Sequence, residues 1–146
     1  MPRPCSVLAL GLITLTLAGR ASAQIEAPWL AEAEIRAELA GHTIDGKYPD
    51  GDAFTETYEA GGRVKYEEGE HSTAGRWSIT EGTLCTIYDN DPTGGCFRVL
   101  KTGSNCFEFY FVARNEYEAS SPRKPDWAAR GWLKGKPPTC AEGDNV

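Results

Sequence analysis

Two patterns of apolar and polar residues divide the chain, and the change falls just after Gly41. Before it, Ile35 and Leu39 recur at helical spacing and form a narrow apolar stripe. Pro28 lies in the first turn, where a missing N–H costs little, and Gly41 suits the C-terminal cap. The pattern predicts a helix at about 27–40 that needs another surface, because so short a helix is unstable alone.

Beyond the helix, apolar residues follow a period of two with turn-forming residues at short intervals, which is typical of strands. A turn at Ala60-Gly61-Gly62 is predicted to set Tyr58 opposite Val64. A later two-residue turn is predicted to set Ile79 opposite Leu84. The residues predicted to share one face of the first hairpin are Phe54, Tyr58, Val64 and Tyr66.

About seven strands follow one another between 42 and 112, each ended by a local turn. Sequential antiparallel strands are usually neighbours in a sheet. We therefore predict a mainly β fold: an antiparallel up-and-down meander of about seven strands, forming a curved sheet or a small barrel of lipocalin-like shape, with the helix against one end or face. After residue 113 the chain is polar and rich in proline, so we expect an irregular tail at 113–146.

The first 23 residues form a separate segment. Arg3 precedes an apolar run from Val7 to Ala18, and Ala21-Ser22-Ala23 follows it. This order is typical of a secretory signal peptide, so we predict cleavage after Ala23 and export of a single domain at 24–146. The apolar run is shorter than the about 20 residues that span a bilayer, so we expect a periplasmic or secreted protein with no stable membrane anchor.

Four cysteines follow this segment, and an even number in a small exported domain indicates two disulfides. Three pairings are possible, and spacing ranks Cys85–Cys96 with Cys106–Cys140 first. The first bond would clip a short loop, and the second would fasten the tail to the sheet. Zinc binding is the alternative, but zinc sites favour close pairs such as C-x2-C, which the sequence lacks. We predict no metal site.

Acidic residues outnumber basic ones by 21 to 15, which gives a net charge of −6. Loss of the signal peptide removes Arg3 and Arg20 and no acidic residue, which leaves 13 basic residues against 21 and a net charge of −8. Such a surface repels nucleic acid and anionic lipid and favours a cationic partner, although excess acid also serves solubility. We expect no nucleic-acid partner.

Residues suited to catalysis are sparse. His42 and His71 are the only histidines, and both fall in polar segments, so a Ser-His-Asp arrangement has no support. Acidic clusters at 45–52 and 67–70 offer carboxylates for acid–base chemistry, but both fall where solvated turns are predicted. The segment 89–95 is similar to the start of a calcium loop and lacks its closing glutamate. We predict no catalytic residues and no cofactor.

Several short motifs follow one another in a recognisable order. They are Leu39-x-Gly41-x-Thr43, Phe54-x-x-x-Tyr58, Gly75-x-Trp77-x-Ile79 and Cys96-Phe97-x-Val99. In this order the chain resembles a group of small exported bacterial proteins, with a signal peptide and one β-rich domain, that carry no assigned function. The resemblance covers about residues 35–112. It implies a location and a fold, and it supplies no catalytic residue.

Together these observations predict a non-catalytic binding protein whose partner is a cationic protein or a small ligand; neither the ligand nor the oligomeric state is specified. We expect an inhibitor-like contact with a cationic protein at the clipped loop, because acidic charge speeds encounter and a clipped loop loses little entropy on docking. The alternatives are a hydrolase acting on envelope polymers through paired carboxylates, and a structural envelope component. The candidate binding residues are Tyr88, Asp89, Asp91 and Phe97.

Overall fold

A computed structural model describes residues 29–90, 94–113 and 127–141. Within these residues, one helix precedes eight strands in chain order. The elements are α1 (Glu32–Leu39), β1 (His42–Lys47), β2 (Ala53–Tyr58), β3 (Arg63–Glu68), β4 (His71–Thr80), β5 (Thr83–Tyr88), β6 (Gly95–Gly103), β7 (Cys106–Ala113) and β8 (Ala129–Leu133).

The strands form a closed barrel in which each strand pairs with the next and β8 returns to β1. All of the pairings are antiparallel. Tyr58 lies opposite Val64 and Ile79 lies opposite Leu84, as the two turns predicted. The mainly β, up-and-down fold is therefore confirmed, and of the two predicted forms the barrel is the one observed.

The segment predicted as an irregular tail contains the strand that closes the barrel. Strand β8 pairs with β7 on one side and with β1 on the other. Its inward positions include Ala129 and Gly131, which are buried but too small to produce an apolar alternation in the sequence. A side chain at Gly131 would come within 2.5 Å of Ile44, so the closing strand needs a glycine there.

The helix is shorter than the predicted 27–40, of which residues 27 and 28 lie outside the described residues. Extended chain precedes α1, because the Leu30 amide donates to the Val99 carbonyl at 2.9 Å and Trp29 bridges to β6. The Glu34 carboxylate accepts the amide of Ala31 at 2.7 Å, so the helix begins at Glu32.

The two ends of the barrel differ. Helix α1 covers the end where β1 begins, with Ile35 and Leu39 fully buried in the core. The Gly41 amide donates to the Tyr58 carbonyl at this end, and Lys101 pairs with Glu38 on the helix. The opposite end, at the turns 48–52 and 69–70, carries no described helix, and we call it the mouth.

Both predicted disulfides are confirmed. Cys85 and Cys96 lie directly opposite each other on β5 and β6, and their bond closes the loop at the mouth. Cys106 joins Cys140 and so ties the segment after β8 to β7. The buried Asn105 side chain reinforces this attachment, because it accepts the Leu133 amide and donates to the Pro137 carbonyl.

Removal of either disulfide tests how each constrains the chain. The Cys106–Cys140 bond joins residues 34 apart and the Cys85–Cys96 bond residues 11 apart, so the first removes more entropy from the unfolded chain. We expect Cys106→Ser/Cys140→Ser to lower the free energy of unfolding by about 4 kcal/mol and Cys85→Ser/Cys96→Ser by about 3 kcal/mol. Urea unfolding of the oxidised proteins measures both values. A larger loss for the shorter loop would contradict this account.

Candidate functional site at the barrel mouth

A carboxylate lies inside the barrel because of the alternation of β2. Successive strand residues point to opposite faces, so Phe54, Glu56 and Tyr58 all face the interior. Glu56 is only 7% exposed. A buried carboxylate is stable only where donors satisfy its oxygens, so its partners decide whether the barrel interior tolerates it.

Two tyrosine hydroxyls satisfy Glu56. The Tyr58 hydroxyl donates to Oε2 at 2.5 Å from the same strand. The Tyr88 hydroxyl donates to Oε1 at 2.6 Å from β5, which is not a neighbour of β2 in the sheet. The second hydrogen bond therefore crosses the interior of the barrel.

Burial controls the ionisation of this group. It raises the pKa of Glu56 above its ordinary value of 4.5, although the hydrogen bonds from Tyr58 and Tyr88 act in the opposite direction. Burial, followed by the charge of Glu56, raises the pKa of Tyr58 and of Tyr88 above the ordinary value of 10.0. Both phenols therefore keep their protons and remain donors to Glu56.

A second carboxylate lies nearer the mouth. Glu68 ends β3 and is half-buried, and its Oε2 accepts the Tyr66 hydroxyl at 2.7 Å. The hydroxyls of Tyr48 and Tyr66 share a further hydrogen bond of 2.7 Å. Burial is the main cause that raises the pKa of both of these tyrosines. Each interior carboxylate thus has at least one phenol as its donor.

The aromatic rings at this end form a continuous row. Ring centroids are 4.9 Å apart for Tyr48 and Phe54, 6.1 Å apart for Phe54 and Tyr66, and 5.3 Å apart for Tyr66 and Tyr88. Gly46 makes room for this row, since a Cβ there would lie 2.3 Å from the Phe54 ring. We call the set the mouth cluster: Tyr48, Phe54, Glu56, Tyr66, Glu68 and Tyr88.

Of the predicted binding residues, Tyr88 and Phe97 pack against the core from the interior face of the barrel, whereas Asp89 is exposed. Tyr88 belongs to the mouth cluster, and Phe97 is half-buried with its ring 5.7 Å from that of Phe111. Asp89 is exposed and its carboxylate lies 3.3 Å from the Arg63 guanidinium. Asp91 lies outside the described residues. The binding role of these four residues stays a prediction.

Glu56 is absent from the residues predicted for a site, and Glu68 was predicted to lie in a solvated turn. A usable signal exists for Glu56, because it lies two residues from both Phe54 and Tyr58 on a strand of period two. A carboxylate in that position must share the apolar face. The signal for Glu68 is weaker, because an apolar residue at period two, Tyr66, precedes it but Gly69 ends the strand directly after it.

A similar tyrosine–glutamate contact occurs on the outer face of the barrel. The Tyr110 hydroxyl donates to Glu108 Oε2 at 2.7 Å, and Arg130 Nε donates to Glu108 Oε1 at 2.8 Å. Arginine therefore balances this carboxylate. Among the described residues, no lysine or arginine forms an ion pair with Glu56 or Glu68.

The other residues considered for catalysis or metal binding form no site within the part of the chain that the structure describes. His42 and His71 are both exposed. Asp45 lies on the outer face of β1, where it accepts the Thr55 hydroxyl at 2.7 Å. Within the described ranges, no three or more histidine, cysteine, aspartate or glutamate side chains are grouped so as to hold a metal ion. In the same ranges, no helix is long and apolar enough to cross a membrane.

The molecule is a closed eight-stranded antiparallel barrel with a row of tyrosines and two carboxylates at one end. Comparison with protein families, with curated proteins and with solved structures gives no match. The resemblance to small exported bacterial proteins therefore stays a prediction.

The raised pKa of Glu56 makes stability depend on pH. Protonation of Glu56 favours the folded state, so this stabilisation is complete below the ordinary pKa of 4.5 and is lost as the pH rises through the folded-state pKa. Glu56→Gln has no proton to lose. We expect the wild type to lose stability relative to this variant as the pH rises from about 4 to about 8. Urea unfolding at several pH values measures the difference.

A matched control separates this effect from general pH dependence. Thr57→Ser changes the outer face of the same strand and no ionisable group, so its stability should follow that of the wild type in parallel. A difference between the wild type and Glu56→Gln that stays constant across the pH range would contradict the account.

Proposed function

We propose that this protein is an exported, non-catalytic binding protein that holds a small ligand in the mouth of its barrel. Barrel mouths are a common place for small-molecule sites, which combine aromatic walls with a few fixed polar groups. The mouth cluster has this composition. Two disulfides fit a periplasmic or extracellular protein. The predicted signal peptide at 1–23 would direct export.

The observation that carries the proposal is the buried Glu56 carboxyl with its two phenol donors. An apolar residue of similar volume at a buried charged position is often as stabilising or more so. Stability alone therefore gives weak reason for a glutamate here. A polar network beneath a row of tyrosines is instead suited to recognition, since it holds the ring of Tyr88 in one orientation.

A binding role is better supported than the hydrolase alternative. Glycoside hydrolysis needs two carboxyl groups that act on one bond, one as an acid and the other as a base or nucleophile. Glu56 uses both of its oxygens to accept tyrosine hydroxyls, and Glu68 is hydrogen-bonded to Tyr66. The two glutamates lie on the neighbouring strands β2 and β3, with Glu56 opposite Tyr66 and Glu68 opposite Phe54, so they do not face each other across the barrel. The mouth therefore favours recognition over bond cleavage.

Ligand mapping tests the proposed function. The chain has 6 tyrosines, so ring labelling gives few resonances to assign. In a titration with a panel of small cationic, neutral and anionic compounds, we expect at least one compound to shift the ring resonances of Tyr66 and Tyr88. Tyr110 lies on the outer face and should not move. A panel that leaves Tyr66 and Tyr88 unchanged would contradict the proposal.

Two matched variants show whether the mouth network does the binding. Tyr88→Phe removes one donor to Glu56, whereas Tyr110→Phe removes the donor to Glu108 on the outer face. We expect the first to weaken binding of the compound found above by roughly tenfold, as for loss of one hydrogen bond to a charged group. The second should leave binding unchanged. Equal effects of the two variants would argue that any loss reflects stability.

A second candidate function is docking to a cationic protein beside the clipped loop. Ile87 is 68% exposed and is the only large hydrophobic residue exposed among the described residues. It lies on β5 between Cys85, whose disulfide braces the loop, and the exposed Asp89. Ile87 lies opposite Arg76, and Asp89 is paired with Arg63, so the exposed apolar side chain is the local feature that favours docking, and the net charge of −6 favours a basic partner.

Binding to a purified cationic protein tests this second function. Lysozyme serves as the probe, and its binding is measured by calorimetry at low and moderate salt. We expect Ile87→Asn combined with Asp89→Asn to weaken binding at least about tenfold. Ser78→Asn is the control, because Ser78 is also exposed. Binding that the double variant leaves unchanged would exclude this part of the outer face as the docking surface.

A further inference from the structure

We infer that the ligand of the mouth cluster is an organic cation, with an ammonium group carried on an apolar body. The inference rests on the proposed function and specifies the class of ligand for the same site. It draws on three features of the cluster: the row of aromatic rings, the two carboxylates that pair with no described lysine or arginine, and the half-buried position of one of them.

The aromatic row supplies the first element of a cation site. Three tyrosines and Phe54 follow one another with ring centroids 4.9 to 6.1 Å apart. Aromatic faces attract ammonium groups within about 6 Å of the ring centroid, and rings grouped in this way recognise quaternary ammonium ions. Phe54 and Tyr66 are buried within the row, whereas Tyr48 and Tyr88 are half-buried, so these last two rings are the ones that an ammonium group at the mouth would contact.

Uncompensated negative charge supplies the second element. On the outer face, Arg130 balances Glu108. Inside, the described donors to Glu56 and Glu68 are all phenols, and no described lysine or arginine pairs with either of them. Among the residues that the structure describes, the interior of the mouth therefore has no counterpart of Arg130. The Glu68 carboxylate would repel an anionic ligand, so the charge at the mouth favours a positive one.

Glu68 is the carboxylate placed to contact the ligand. It is half-buried at the end of β3, whereas Glu56 is buried and both of its oxygens are occupied. The Tyr66 hydroxyl occupies Oε2 of Glu68, and Oε1 accepts no hydrogen bond from the described residues. Glu56 is a positioning residue, because it acts through Tyr88 by holding that ring beside Tyr66.

An isosteric pair of probes tests the charge directly. Choline and 3,3-dimethylbutan-1-ol have nearly the same shape, but the alcohol has a neutral carbon atom where choline has its ammonium nitrogen. We expect choline to shift the Tyr66 and Tyr88 ring resonances of the oxidised protein with an affinity at least about tenfold higher than that of the alcohol. The acid 3,3-dimethylbutanoate should bind more weakly than either. This comparison uses the unmodified protein, so it does not depend on the folding of a variant.

Two neighbouring glutamates provide a matched pair of variants. Glu68→Gln and Glu67→Gln remove the same charge from adjacent residues, but Glu67 is exposed and points away from the interior. We expect Glu68→Gln to weaken choline binding at least about tenfold and to leave binding of the alcohol unchanged. Glu67→Gln should retain the affinity for choline within about twofold.

The possible outcomes separate this inference from the proposed function. If the alcohol or the acid binds at the mouth as well as choline does, the cation inference is overturned and the proposed binding function stands. Equal weakening of choline binding by Glu67→Gln and Glu68→Gln would also overturn it, since a general loss of negative charge would explain both. If no probe of any charge moves Tyr66 or Tyr88, both the inference and the proposed function are overturned.

Discussion

The hydrogen bond from Tyr88 to Glu56 is the interaction on which the interior of this barrel depends. It joins β5 to β2 across the lumen at 2.6 Å, and those strands are not neighbours in the sheet. A closed sheet shields its interior from water, so a carboxylate there is destabilising unless donors reach it from within. Tyr58 supplies the second donor. This arrangement fixes Tyr88 beside Tyr66 and so determines the shape of the mouth.

Local alternation and turn length were sufficient to predict how neighbouring strands pair. A short turn determines the register of the two strands that it joins, which is why Tyr58 lies opposite Val64. No local feature of the sequence predicts that the barrel closes. Strand β8 reaches β1 from the far end of the chain, and Gly131 on its inward face gives no apolar signal. The contact between Glu56 and Tyr88 could not be predicted for the same reason, because only the curvature of the closed sheet brings these two residues together.

The two ends of the barrel differ in composition, and the proposed recognition is confined to one of them. At one end, Ile35 and Leu39 of the helix complete an apolar core with no need for polar partners. At the other, the interior positions carry tyrosines and glutamates whose hydrogen bonds depend on one another. The two disulfides serve different parts of the barrel. Cys85–Cys96 braces the mouth loop, and Cys106–Cys140 attaches the chain after β8 to β7. A rigid frame thus holds a polar aromatic mouth.

The hydroxyl protons of Tyr58 and Tyr88 provide the most direct measurement of the central claim. Phenol protons in solvent exchange with water too fast to be observed, whereas protons buried in hydrogen bonds to a carboxylate exchange slowly and resonate downfield. In tyrosine-labelled protein we expect both hydroxyl resonances to be visible, with contacts to Glu56, and to shift or disappear in Glu56→Gln. Rapid exchange of both hydroxyl protons with water would contradict the account.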